Sequence, residues 1–127
     1  DTRLYKKAVS DWSKVTKEGE IINLVDNKNK FIAKGYYGIQ NKGYGWVLTS
    51  KKDEKIDADY FTCKIESALI YREDFFNDKE TTAFRVFNGE GDGVGGLTID
   101  YFDGFYMLTW YSIGIYELKE SIDRKSV

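Results

Sequence analysis

The dipeptide Asp103-Gly104 sits between two apolar runs, and this constrains the fold more than any other local feature of the chain. Leu97-Thr-Ile-Asp-Tyr-Phe102 alternates in polarity up to it, and Phe105-Tyr-Met-Leu-Thr-Trp-Tyr111 follows at once. Asp-Gly tolerates the left-handed backbone that a two-residue hairpin loop demands, so the runs are read as antiparallel neighbours. Thr82-Ala-Phe-Arg-Val-Phe87 reads as a further strand upstream. The same grammar covers residues 20–50. Glu20–Val25 is one strand, Asp26-Asn27-Lys28-Asn29 a turn, and Lys30–Lys34 a second strand that Gly35 interrupts before Tyr36-Tyr37. A glycine there predicts a bulge or a tight bend. Gly43–Thr49 is the next strand. Short strands at this spacing predict a small barrel or sandwich.

Between the two strand-rich regions the period changes. From residue 57 to about 76, Phe61, Ile65, Ala68 and Leu69 form one apolar stripe at helical spacing. Asp57 stands where an N-cap belongs, and Lys64, Glu66, Arg72 and Glu73 are placed toward water. Cys63 lies beside the stripe as a structural thiol, because no histidine exists to activate it. Ile115, Leu118 and Ile122 open another amphipathic helix. The fold class is therefore α+β and β-rich.

Several chemistries are excluded by composition. The 127 residues contain no His, so no His-based triad, zinc site or His general base is available. A single Cys rules out an intramolecular disulfide and a cysteine metal cluster, and it suits a reducing cytoplasm. No apolar run approaches the roughly 18 residues of a membrane span. Asp57/Asp59 and Asp74/Asp78 fall at helix ends and turns, where acids cap. No metal and no membrane are expected as partners.

The net charge of −2 argues against a polyanion partner until it is divided along the chain. Residues 1–55 hold 12 positive and 7 negative charges, and residues 56–127 hold 7 and 14. The halves carry +5 and −7. From Asn27 to Lys52 there is no acid, while Lys28, Lys30, Lys34, Lys42, Lys51 and Lys52 interleave with Phe31, Tyr36, Tyr37, Tyr44 and Trp46. Lys neutralises phosphates and aromatic faces stack on unpaired bases. A solvated Lys face over an aromatic β-core has the same composition.

Gly89-Glu-Gly-Asp-Gly-Val-Gly-Gly96 imitates a nucleotide or S-adenosylmethionine loop. Such loops open a helix whose N-terminal amides meet the ligand. Here a strand closed by Asp-Gly follows, Phe87 stands where an acid would precede the loop, and Glu90 and Asp92 would repel phosphate. The run is read as a long, flexible connection between strands, and no cofactor is assigned to it.

Two stretches resemble a known family. One is Val25–Tyr37 with Trp46-Val-Leu-Thr49, Ile56-Asp57 and Phe61. The other, more specific, is Phe84-Arg-Val-Phe-Asn-Gly-Glu-Gly-Asp-Gly-Val-Gly-Gly-Leu-Thr-Ile-Asp-Tyr-Phe-Asp-Gly104 with Ser112 and Gly114. Together they resemble the N-terminal portion of class I S-adenosylmethionine-dependent methyltransferases of the large-subunit rRNA cytosine-C5 type. Val94-Gly95 replaces the Leu-Pro usual in that family, and Ser10-Asp11-Trp12 replaces its His-Pro-Trp-type segment. The resemblance implies a PUA-like small β-barrel over residues 1–56, a connecting helix over 57–78 and a β-rich α+β middle domain over 79–127. A Rossmann-like catalytic domain, with the S-adenosylmethionine loop and the nucleophilic Cys, would lie beyond Val127. Cys63 does not match that nucleophile.

The resemblance and the charge map together predict an RNA-binding, substrate-positioning part of a cytoplasmic rRNA methyltransferase that catalyses nothing by itself. Ribosomal RNA is the expected partner, with contacts from Lys34, Tyr36, Tyr37, Lys42, Lys51 and Lys52. The alternatives are a stand-alone RNA-binding module, or a protein-interaction domain that homodimerises through Phe105, Tyr106, Trp110 and Tyr111.

Overall fold

The structure is a computed structural model that describes residues 3–5, 9, 11–15, 17–39 and 43–119. Two antiparallel sheets flank a helical segment, and the chain is β-rich with few helices. The first sheet holds β1 (Arg3–Tyr5), β2 (Ile21–Val25), β3 (Phe31–Tyr37) and β4 (Gly43–Thr49) in the order β1-β4-β3-β2. No ladder joins β1 to β2 among the described residues. The three residues of β1 are too few to show a period, and sequence reading passes over them.

The β2–β3 turn is built by Asp26. Its Oδ1 accepts from the backbone amides of Lys28 at 2.8 Å and Lys30 at 2.9 Å, and Asn29 takes φ 64°. Gly35 marks a shift in the β3–β4 register, yet the strand continues through it to Tyr37. A Cβ at Gly35 would collide with the Trp46 carbonyl, so the close approach requires glycine.

Helix α1 (Ala58–Tyr71) starts where expected: Asp57 accepts from the Tyr60 amide at 3.0 Å. The helix buries Tyr60, Phe61, Ile65 and Ala68. The single helix expected to about 76 is instead two, because the backbone leaves helical geometry at Arg72 before α2 (Glu73–Asn77). Arg72 does not face water. Its Nη1 donates to the Ala68 carbonyl at 3.1 Å, and its two terminal nitrogens hold the Asp92 carboxylate at 3.2 and 2.8 Å.

The second sheet is a meander of β5 (Ala83–Asn88), β6 (Leu97–Phe102) and β7 (Phe105–Trp110). Asp103 and Gly104 close the β6–β7 hairpin with φ 39° and 96°. Short α3 (Ile113–Tyr116) follows, with Ser112 Oγ accepting from the Ile115 amide. Ile122 lies outside the described residues.

The glycine run departs from its reading as a flexible connection. Gly89–Asp92 forms a 3-10 turn, and Val94, Gly95 and Gly96 are buried before β6 begins. Gly95 lies against the Trp46 indole, and its carbonyl accepts from the Tyr36 hydroxyl at 2.6 Å. Burial of the run follows from these contacts, which fix it to the first sheet.

A single core runs through both sheets. Tyr36, Trp46 and Leu48 from the first sheet join Phe61 and Ile65 of α1 and Val86, Phe87, Leu97 and Ile99 of the second. Two buried phenols cross-brace it: Tyr36 as above, and Tyr60, which donates to the Leu48 carbonyl at 2.9 Å. Burial pushes the Tyr60 phenol up to about 12, and burial likewise raises Tyr36. Each phenol therefore stabilises the fold fully below its unfolded pKa of about 10 and loses that contribution as pH rises through the folded value. Thermal melts are expected to show falling stability from pH 10 toward pH 12, and Tyr60→Phe to flatten part of that fall. An unchanged alkaline slope in the variant would refute the assignment.

Candidate nucleic-acid interface

The ladders bring two lysine-bearing turns to one end of the first sheet. β2 ends at Val25 and β3 begins at Phe31, which places Lys28 and Lys30 on the turn between them. Lys34 pairs with Thr49 at the end of β4, so residues 50–55 leave the sheet at that same end. Lys28, Lys30, Lys51, Lys52 and Lys55 are all exposed there.

The second turn is fixed from below. Lys34 Nζ donates to the carbonyls of Lys52 at 3.0 Å and Glu54 at 2.7 Å. Thr49 Oγ1 accepts from the Lys51 amide at 3.1 Å and donates to Glu54 Oε1 at 2.5 Å. Three nearby acids have structural duties: Asp26 holds its turn, Glu54 binds Thr49, and Asp57 caps α1, while Asp53 lies exposed beside Lys52. The arrangement can present several ammonium groups to a phosphate backbone.

Of the six residues expected to touch RNA, Lys51 and Lys52 lie exposed at this end, and Lys34 stands beneath them as an anchor. Tyr36 is corrected: its side chain is fully buried, with its hydroxyl bound to Gly95, and no base can reach its ring. Tyr37 lies at the far end of β3, roughly 20 Å from that strand's start. It is half-buried, with its ring centroid 5.9 Å from Trp12 and 6.3 Å from Tyr44. Burial raises its phenol, with a smaller push from Glu18. Lys42 lies outside the described residues. Sequence reasoning left Lys28, Lys30 and Lys55 out of the candidate set. For the first two the signal was present, since a turn cluster beginning with Asp puts its neighbours at an exposed tip.

The glycine run lacks the loop-then-long-helix form of a nucleotide-binding turn. The amides of Asn88, Gly93 and Val94 donate to Asp92, Glu90 and Gly89 within the loop itself, and strand β6 follows it. Asp92 is held by Arg72.

Comparison with known families supplies the deciding observation: a PUA-like domain family matches residues 3–50, the span of the first sheet. Over those residues the chain is similar to the PUA-like domain family. The chain beyond the PUA-like domain is also matched. YwbD of Bacillus subtilis (strain 168), whose name assigns it provisionally to the ribosomal RNA large subunit methyltransferases, is 48% identical over 118 residues. That match takes in 92% of this chain and 30% of YwbD. Ribosomal RNA large subunit methyltransferase I of Alteromonas mediterranea is 31% identical over 111 residues, covering 87% of this chain and 28% of the relative. A solved structure of SMU.776, titled provisionally as a methyltransferase complexed with SAH, superimposes with TM-score 0.85 at 29% identity. It covers 97% of this chain and 31% of that one. The chain thus spans under a third of the length of these relatives and corresponds to their N-terminal part, PUA-like domain included. No described helix is long and apolar enough to cross a membrane.

Proposed function

We propose that this chain is the RNA-binding, substrate-positioning N-terminal part of a cytoplasmic rRNA methyltransferase, non-catalytic by itself. S-adenosylmethionine would serve the whole protein through a domain other than the two sheets described. Residues 1–56 would form a PUA-like barrel that holds RNA, 57–78 a helical connection, and 79–127 a middle domain. The observation that carries the reading is the clustering of exposed Lys28, Lys30, Lys51, Lys52 and Lys55 on two turns at one end of a PUA-like sheet. The names of the relatives supply the RNA class.

Lys51 and Lys52, with Lys28, Lys30 and Lys55, would act on phosphates, while Lys34 would hold the turn that carries the first pair. The test is titration of a structured large-subunit rRNA fragment at two salt concentrations. Lys51→Ala with Lys52→Ala is expected to weaken binding several-fold and to flatten the salt slope by about 1 for each phosphate left without its lysine. Binding that ignores salt, or a double variant with unchanged affinity, would refute the proposed surface.

A further inference from the structure

We propose that the free edge and outer face of β7 are the docking surface for the part of the full-length protein that follows this region. Strand β7 pairs with β6 on one side, and among the described residues no strand lies on the other. From Phe105 to Tyr111 it has no charged residue and no proline. Edge strands are ordinarily blunted by charge, proline or a bulge, so this is the sequence of an interior strand at an edge position. The opposite edge, β5, does carry a charge: Arg85, paired with Asp100 at 2.9 Å.

The exposure points the same way. Phe102 and Phe105 are cross-strand partners on the outer face, and Met107 follows two residues on. Phe105 is 77% exposed, Met107 50%, and Ile113 of α3 64%. Exposed apolar side chains of this size mark an interaction site, and the Arg85–Asp100 ion pair borders them, since Asp100 is the cross-strand partner of Met107.

The occupant is argued from length and position. In YwbD and in the Alteromonas enzyme this region is N-terminal and takes up 30% and 28% of the chain, so more than two thirds of each follows it. Phe102, Phe105, Met107 and Ile113 lie on β6, β7 and α3, the last described elements, where a continuing chain reaches them by a short connection. A strand added to the β7 edge satisfies its outward backbone groups while covering Phe105 and Met107. This inference does not depend on RNA binding.

Hydrogen exchange on the full-length protein tests it. The β7 amides that do not pair with β6 are expected to exchange on the order of a hundredfold more slowly than open loops. Phe105→Glu with Ile113→Glu is expected to lower the melting temperature of the full-length protein by several degrees. The same pair should leave residues 1–127 alone nearly unaffected, because both side chains face solvent there. Edge amides exchanging at loop rates in the full-length protein would overturn the proposal. So would a dimer, seen by light scattering, that the double variant dissociates into a monomer with unprotected β7 amides, since a second copy would then be the occupant.

Discussion

Phe61→Ala is expected to lower stability by about 3–5 kcal/mol and to melt both sheets in one transition. Phe61 lies on α1 with 1% of its surface exposed, in a core shared by Trp46 and Leu48 on one side and Val86 and Phe87 on the other. Removing the ring deletes apolar burial and leaves a cavity that strands of both sheets border. Domains of this size are stable by only about 5–15 kcal/mol, so much of the total is at stake. Far-ultraviolet circular dichroism and tryptophan fluorescence, read on one denaturant series, should give coincident midpoints, since the tryptophans report from both sheets. Two separated transitions would show that α1 does not couple the sheets.

Arg72→Ala should have the next largest effect, about 2–3 kcal/mol. The guanidinium and the Asp92 carboxylate retain 13% and 15% of their side-chain exposure, so deleting the cation strands a mostly desolvated anion. Asp92 also accepts from the Asn88 amide, so its displacement opens the glycine turn as well. Asp92→Asn should cost less, because the amide oxygen still accepts. The comparison is made in urea at one pH, and equal losses for both variants would show that the stranded charge is not the cause.

Local chemistry was legible in the sequence where one residue determines a backbone geometry. Asp57 capped α1, Gly35 marked the register shift, and Asp103-Gly104 closed the hairpin, each through constraints that operate within a few residues. Side-chain destination was less legible. Tyr36 and Tyr37 are adjacent in an aromatic, Lys-rich strand, yet one is buried against the glycine run and the other half-open beside Trp12. Which tyrosine turns inward depends on the bulge at Gly35 and on a partner 59 residues away. Arg72 carried no sign of its partner 20 residues on, and the glycine run looked loose because burial by Trp46 is non-local. The acid-free lysine stretch was visible as composition. Its division into an exposed end and a distant aromatic cluster required the strand pairing.

Lys34 has a consequence for the entropy of association. Its two hydrogen bonds hold residues 52 and 54 before any ligand arrives. For the proposed RNA contact, the conformational entropy of ordering that turn would then be lost during folding instead of during association, leaving less to be lost at binding. The side chain that fixes the turn is itself a lysine, its ammonium held by the backbone carbonyls of Lys52 and Glu54. Chemical acetylation of Lys34 would release the turn, and with it a ready-made spacing of cations, without touching the exposed face at all.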